Sequence, residues 1–141
     1  MKSYLADVNF WLALAAEGHR HHGIAAAWFE ALRGRVYFCR VTQMAMLRLL
    51  TNPRVVEGQP LTASEAWALY RELLADPKIS FLPDQTGLEP LWEQLLVNRR
   101  GGSDWTDTYL AALAQTGQLD FVTFDAGFQR FLNLKLTLLS A

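Results

Sequence analysis

The sequence predicts an α/β fold with a mainly parallel central sheet. Two observations carry this. Short β-branched and aromatic runs alternate with longer segments of helical periodicity, the pattern of repeated βαβ units. Capping and breaking residues also bound most segments, giving them their own start or stop signal. Right-handed crossovers then place helices on both faces of the sheet.

In chain order, "SYLA" (residues 3–6) reads as a short buried strand. From Asn9 to Ala16 the apolar residues recur at helical spacing, Phe10 with Leu14 and Trp11 with Ala15. "GHRHHG" breaks that pattern, and "GIAAAWFEALRG" is a second helix ended by Gly34. "RVYFCRV" is a second strand; "TQMAMLRLLTNP" is a helix begun by Thr42 and stopped before Pro53; "VVEGQP" is a loop. In "LTASEAWALYRELLADP", Thr62 and Glu65 have capping-box spacing and Pro77 ends the helix. "KISFLP" is a third strand, "TGLEPLWEQLLVNRR" is helical, "GGSD" is a loop, and "WTDTYLAALAQTG" is a helix closed by Gly117. "LDFVTF" is a fourth strand, and after a turn "LKLTLL" is a short last one.

A chain of 141 residues fits a single domain, residues 1–141, with one proper core. A net charge of −1 excludes binding nucleic acid through bulk charge, so any such contact needs a local basic patch. The single cysteine, Cys39, allows no internal disulfide and reads as an inert buried thiol in a reducing cytoplasm. Asp7 and Asn9 interrupt the first apolar run, "EGHR" is a poor cleavage context, and no segment is long and apolar enough to span a membrane. The expectation is a cytoplasmic protein with no membrane association.

The acids form a pattern. Asp7 falls just past the end of the first strand and Asp125 just past the end of "FVTF". In open α/β sheets ligands bind outside the carboxyl ends of the strands. Asp107 opens the helix that leads back to the fourth strand, so it belongs at the same edge. Asp104 lies one turn earlier on the same helical face. Carboxylates gathered closely repel, and a divalent cation relieves that repulsion; hard oxygen donors suit Mg²⁺ or Mn²⁺. Each acid also has a purely local reading. Asp104 or Ser103 can be an N-cap, Asp107 an acid favoured by the helix dipole, Asp7 a cap of the first helix, and Asp125 the start of a turn. The two readings are compatible.

"LADVNFWLAL", "WTDTYLAALA" and "FVTFDAGF", in that order, closely resemble PIN-domain ribonucleases, and more nearly the VapC type, the toxins of type II toxin–antitoxin pairs. "CRVTQMAMLRLLTNP" is similar to the middle helix of one branch of these toxins. The resemblance implies a PIN-like three-layer α/β/α sandwich and a Mg²⁺-dependent endoribonuclease. It makes Asp7, Asp107 and Asp125 the metal ligands, with Asn9 and Thr123 as supporting polar residues. It also implies a VapB-type antitoxin as partner and a homodimer. A metal-activated water would leave 5′-phosphate and 3′-hydroxyl ends.

The sequence departs from the family at one point. Many members carry a glutamate on the helix after the second strand, and aligning "VTQMAMLRLL" on that pattern places Arg48 there. Gln43 on the same helix is neutral, and Glu57 and Glu65 lie further on with no pattern supporting them. A second metal ion is thereby placed in doubt; Arg48 could hold a phosphate and Asp104 could supply the missing charge. This departure keeps open a degenerate PIN domain that binds protein or RNA without catalysis. A same-fold nuclease of RNA processing and a phosphatase-like α/β enzyme are further alternatives.

Arg99 and Arg100, before Gly101, are either an RNA-contacting loop or a solvated basic turn. His19, His21 and His22 lack the partners of a zinc site and read as structural. Trp28, Trp67 and Trp92 follow helical spacing and read as core or interface, while Trp11 and Trp105, near the acids in sequence, either pack or stack a base.

Overall fold

The computed structural model describes residues 1–56 and 58–140. Among them are five strands, β1 Tyr4–Ala6, β2 Val36–Phe38, β3 Ile79–Phe81, β4 Asp120–Thr123 and β5 Leu136–Leu138. They form one sheet in the order β3-β2-β1-β4-β5, and every neighbouring pair is parallel. The α-helices are α1 Val8–Ala15, α2 His22–Ala31, α3 Arg40–Leu50, α4 Ala63–Ala75, α5 Leu88–Leu96 and α6 Asp104–Thr116, with a 3₁₀ turn at Ala126–Arg130.

Strand side chains alternate between two cores. Leu5 and Phe121 join one core with Leu88 of α5 and Leu110 and Leu113 of α6. Ala6 and Val122 face the other, with Phe10 and Trp11 of α1, Met46 of α3 and Tyr70 of α4. The result is the expected three-layer α/β/α sandwich, with α1–α4 on one face and α5–α6 on the other. Trp11 is fully buried and stacks on Phe38 at 3.7 Å, so packing claims it. Trp28 meets the Tyr4 and Phe10 rings edge-on.

Two boundaries differ from the sequence pattern for physical reasons. The second strand stops at Phe38, and α3 begins at Arg40 rather than at Thr42. Cys39 takes the N-cap position, and the Thr42 hydroxyl reaches back to accept its amide at 3.0 Å. Thr42 therefore serves the helix start from its third position. Gly34 does not end the second helix, whose last residue is Ala31. Its smallness serves a tertiary contact instead, since a Cβ there would lie 1.7 Å from the Lys2 carbonyl oxygen. The Thr62–Glu65 capping box forms as read. Glu57 lies outside the described residues. Among the described residues no helix is long and apolar enough to cross a membrane.

Gly34→Ala is expected to lower stability by ~2 kcal/mol, because backbone must move to admit the methyl group. Gly18→Ala, with nothing within 4 Å of the added carbon, is the control. Urea denaturation of the two variants checks this, and similar midpoints for both would refute the close-approach argument.

Candidate active site

The strand order creates the site. From β1 the chain goes on to β2 and then β3 on one side, while β4 and β5 lie on the other. The order reverses between β1 and β4, the place where open α/β sheets form a crevice outside the carboxyl ends of their strands. Asp7 directly follows β1, and Thr123 ends β4 two residues before Asp125. Helix α6 feeds the amino end of β4, so its own start, with Asp104 and Asp107, lies at the crevice edge.

Asp7 is 7% exposed. It caps α1, with one carboxylate oxygen accepting the Val8 amide at 2.8 Å. The other oxygen accepts the Thr123 hydroxyl at 2.7 Å and the Asn9 amide at 3.3 Å. Asn9 Nδ2 also donates to Thr123 Oγ1 at 3.1 Å, and its Oδ1 accepts the Phe124 amide at 3.3 Å. Thr123 Oγ1 in turn accepts the Asp125 amide at 3.0 Å. The two small polar residues thus tie the ends of β1 and β4 together. Asp125 caps its own turn through the Gly127 amide at 2.8 Å. For Asp7 and Asp125 the local capping role therefore coexists with a place at the crevice.

Burial pushes the Asp7 pKa from 3.8 up to about 6; hydrogen bonds from Thr123 and Val8 oppose the rise, and the charges of Asp107 and Asp125 add to it. Those two acids are close enough for Asp7 to feel both.

Asp104 and Asp107 have a partner that the sequence pattern did not single out. Arg130 Nη2 donates to Asp107 Oδ2 at 2.9 Å and to Asp104 Oδ1 at 3.5 Å. Its Nη1 donates to the Gly127 carbonyl at 2.6 Å, and its guanidinium lies 4.4 Å from the Phe131 ring centre. The available signal was a lone arginine closing the turn that Asp125 opens, a feature with no periodicity. The N-cap reading for Asp104 and Ser103 does not hold: Ser103 occupies the cap position without a side-chain bond, and the Asp104 carboxylate turns to Arg130. The start of α6 is braced from α5, where Trp92 Nε1 donates to the Thr108 hydroxyl at 3.0 Å.

The remaining basic residues separate. Arg99 lies 4.8 Å from the centre of the same Phe131 ring, and Arg100 is exposed. Arg48 is exposed too, but lines a groove with Leu47, Thr51, Ala63, Ala66 and Trp67 between α3 and α4. It stands eight residues after the start of α3, about 12 Å of helix rise from the crevice edge. The polar side chain in the first turn is instead Gln43, buried and bonded by Arg40 at 2.6 Å. Arg48 thus lies in the second half of α3, beside α4. Trp105 is 56% exposed at the start of α6. His21 stacks on Phe124 at 4.6 Å, and His22 bonds the Ala13 carbonyl at 2.8 Å, structural roles as read. Asp84, after β3, was missed; the Tyr109 hydroxyl of α6 donates to it.

Among the described residues no three His, Cys, Asp or Glu side chains converge closely enough to form a ready-made cation site. The donors nevertheless suit a hard divalent cation in chemistry and in charge. Asp7 is buried with only neutral hydrogen-bond donors and two acids nearby, and so lacks a counter-charge. What holds the set apart is also visible: Asp107 is drawn to Arg130, and one Asp125 oxygen to Gly127.

The PIN-domain family model matches residues 4–132. The chain belongs to the PIN-domain family. It is 41% identical over 143 aligned residues to ribonuclease VapC41 of Mycobacterium tuberculosis, covering 96% of this chain and 98% of that protein. Ribonuclease VapC38 of the same organism is 33% identical and is covered to 85%, with 87% of this chain aligned. In fold, this PIN domain resembles the structure of VapBC2 from Rickettsia felis bound to a DNA fragment from its promoter, with a TM-score of 0.73 at 13% identity, covering 98% of this chain and 99% of that one. It also resembles M. tuberculosis VapC20, described as a Sarcin-Ricin loop cleaving toxin, with a TM-score of 0.67 at 22% identity, covering 90% and 93%.

The raised Asp7 pKa fixes the sign of a pH effect. Between about 4 and about 6 the folded protein binds a proton that the unfolded chain has released. The stability this supplies is complete below pH 4 and is lost as pH rises through about 6. In metal-free buffer, wild-type stability relative to Asp7→Asn should therefore fall across that window and level off above it. Urea unfolding of both proteins at each pH checks the difference, and a flat difference would contradict it.

Proposed function

We propose that this PIN domain is a metal-dependent endoribonuclease acting as the toxin of a toxin–antitoxin pair. The observation that carries the reading is a buried Asp7 at the β1/β4 switch point that feels the charges of both Asp107 and Asp125. Near-full-length similarity to a protein named as a VapC ribonuclease supports the RNA substrate. Asp7, Asp107 and Asp125 would hold Mg²⁺, or Mn²⁺ in its place. When bound, the ion supplies a Lewis acid for a phosphoryl oxygen and lowers the pKa of a water.

The chain's own residues do the rest. Asp7 is fixed in one rotamer by Val8, Thr123 and Asn9, so its outward face is pre-organised. Asp125 keeps one carboxylate oxygen on Gly127, leaving the other to orient a water or accept its proton. Arg99, which shares the Phe131 ring with Arg130, would hold RNA phosphates, with Arg100 on the exposed loop. The VapC resemblance further supports a VapB-type antitoxin as partner and a homodimer as the working state.

A binding module without catalysis is the second reading. The neutral Gln43 in the first turn of α3 favours it, since that turn contributes no acid to the crevice.

Purified protein, free of antitoxin, is expected to cut total or transfer RNA with Mg²⁺ and not with EDTA, leaving 5′-phosphate ends. Asp7→Asn and Asp107→Asn should each lower the rate by roughly two orders of magnitude or more, the scale of removing a pre-organised electrostatic group. Folded wild-type protein that cuts no RNA and binds no Mg²⁺ would support the binding module.

A further inference from the structure

The guanidinium of Arg130 is held at three points. Gly127 O anchors Nη1 at 2.6 Å, while Asp107 and Asp104 take Nη2 at 2.9 and 3.5 Å. Its flat face rests near the Phe131 ring, which Arg99 also approaches, the two guanidinium carbons lying 4.4 and 4.8 Å from the ring centre. Two cations gathered at one ring repel each other, and the two acids offset that repulsion. The Arg130 side chain is still 32% exposed, so solvent and ligands reach it. The close fit also constrains its neighbour: a Cβ at Gly127 would lie 3.0 Å from Asp125 Oδ1 and 3.3 Å from Arg130 Nη1.

These contacts set up a competition. Asp107 is both a ligand in the proposed metal site and the shortest ion-pair partner of Arg130 among the described residues. One carboxylate oxygen cannot serve a guanidinium and a divalent cation equally. A cation taking Asp107 would leave Arg130 anchored on Gly127 and Asp104 with a donor freed, next to a second guanidinium. A planar fork of N–H groups with a free donor is what recognises a phosphodiester.

We propose that Arg130 is a phosphate-binding residue of the catalytic site, paired with Asp107 until a divalent cation displaces it and then turned to the RNA phosphate. The proposal rests on the reading of this chain as a metal-dependent ribonuclease. It predicts opposite effects on metal and on RNA, which a residue that merely braces the Asp125 turn would not produce.

The test has two readouts. Calorimetric titration of Mn²⁺ into metal-free protein, without RNA, should show Arg130→Gln binding roughly tenfold more tightly than wild type, as expected when one charge-assisted competitor is removed. Single-turnover cleavage of total RNA in saturating Mg²⁺ should be at least about tenfold slower in the same variant. Arg130→Lys keeps the charge and loses the fork; it should bind Mn²⁺ like wild type and cut more slowly, and it stands in if the glutamine variant fails to fold. Unchanged or weaker Mn²⁺ affinity in Arg130→Gln, or wild-type cleavage by both variants, would overturn the proposal while leaving a metal-dependent wild-type nuclease intact. A wild-type protein that neither binds Mn²⁺ nor cuts RNA would overturn the proposed function, and this inference with it.

Discussion

The hydrogen bond from the Thr123 hydroxyl to the Asp7 carboxylate, 2.7 Å long, joins the ends of the two central strands. The rest of the site depends on it. Thr123 is fully buried, and its oxygen also accepts the Asp125 amide, so one hydroxyl sets the positions of two acids. The bond requires the parallel register of β1 and β4, in which Ala6 is opposite Val122 and the next residues are Asp7 and Thr123. A one-residue slip would send Thr123 to the opposite face of the sheet and leave Asp7 buried without its strongest neutral partner. Burial of Leu5 and Phe121 on one face and of Ala6 and Val122 on the other forbids that slip.

That register concentrates negative charge where water is scarce. Neutral donors offset only part of the cost at Asp7, which is why its carboxyl titrates near 6. At the start of α6 the compensation is of another kind, with one cation, Arg130, shared between Asp104 and Asp107. The crevice therefore has two regions, one of buried acid held by neutral donors and one of acid already paired with a cation from the chain itself. Stability and the proposed function pull in different directions here, since the buried charge that strains the folded state is the one the proposed metal would relieve.

Most of the fold and the positions of five candidate-site residues were legible because they carry local signals. Asp7 and Asp125 follow strand-like runs, Asp107 opens a periodic helix, Asn9 is a small polar residue in the first turn of α1 and Thr123 one at the end of β4. Arg130 was not legible, because its partners lie 23 and 26 residues earlier in the chain and no periodicity links them. The surroundings of Arg48 were not legible for a related reason. The cap on α3 comes from Cys39 with Thr42 reaching back, so the first turn carries Gln43, and Arg48 lies about one and a half turns further on. Gly34 carried a helix-stop signal, yet its reason is the Lys2 backbone across the sheet edge.

The sequence by itself determined the alternation of elements, the parallel sheet and the edge at which the acids gather. Hydrophobic period, caps and breakers act within a few residues, and parallel connectivity then sends every strand's carboxyl end the same way. Only the tertiary structure decided how the charges are matched: which acid is buried among neutral donors, which pair shares Arg130, and which side chain of α3 comes nearest the crevice. Those outcomes depend on burial and on distances of a few ångströms between elements far apart in the chain, and ion pairs and pKa values are set at that scale.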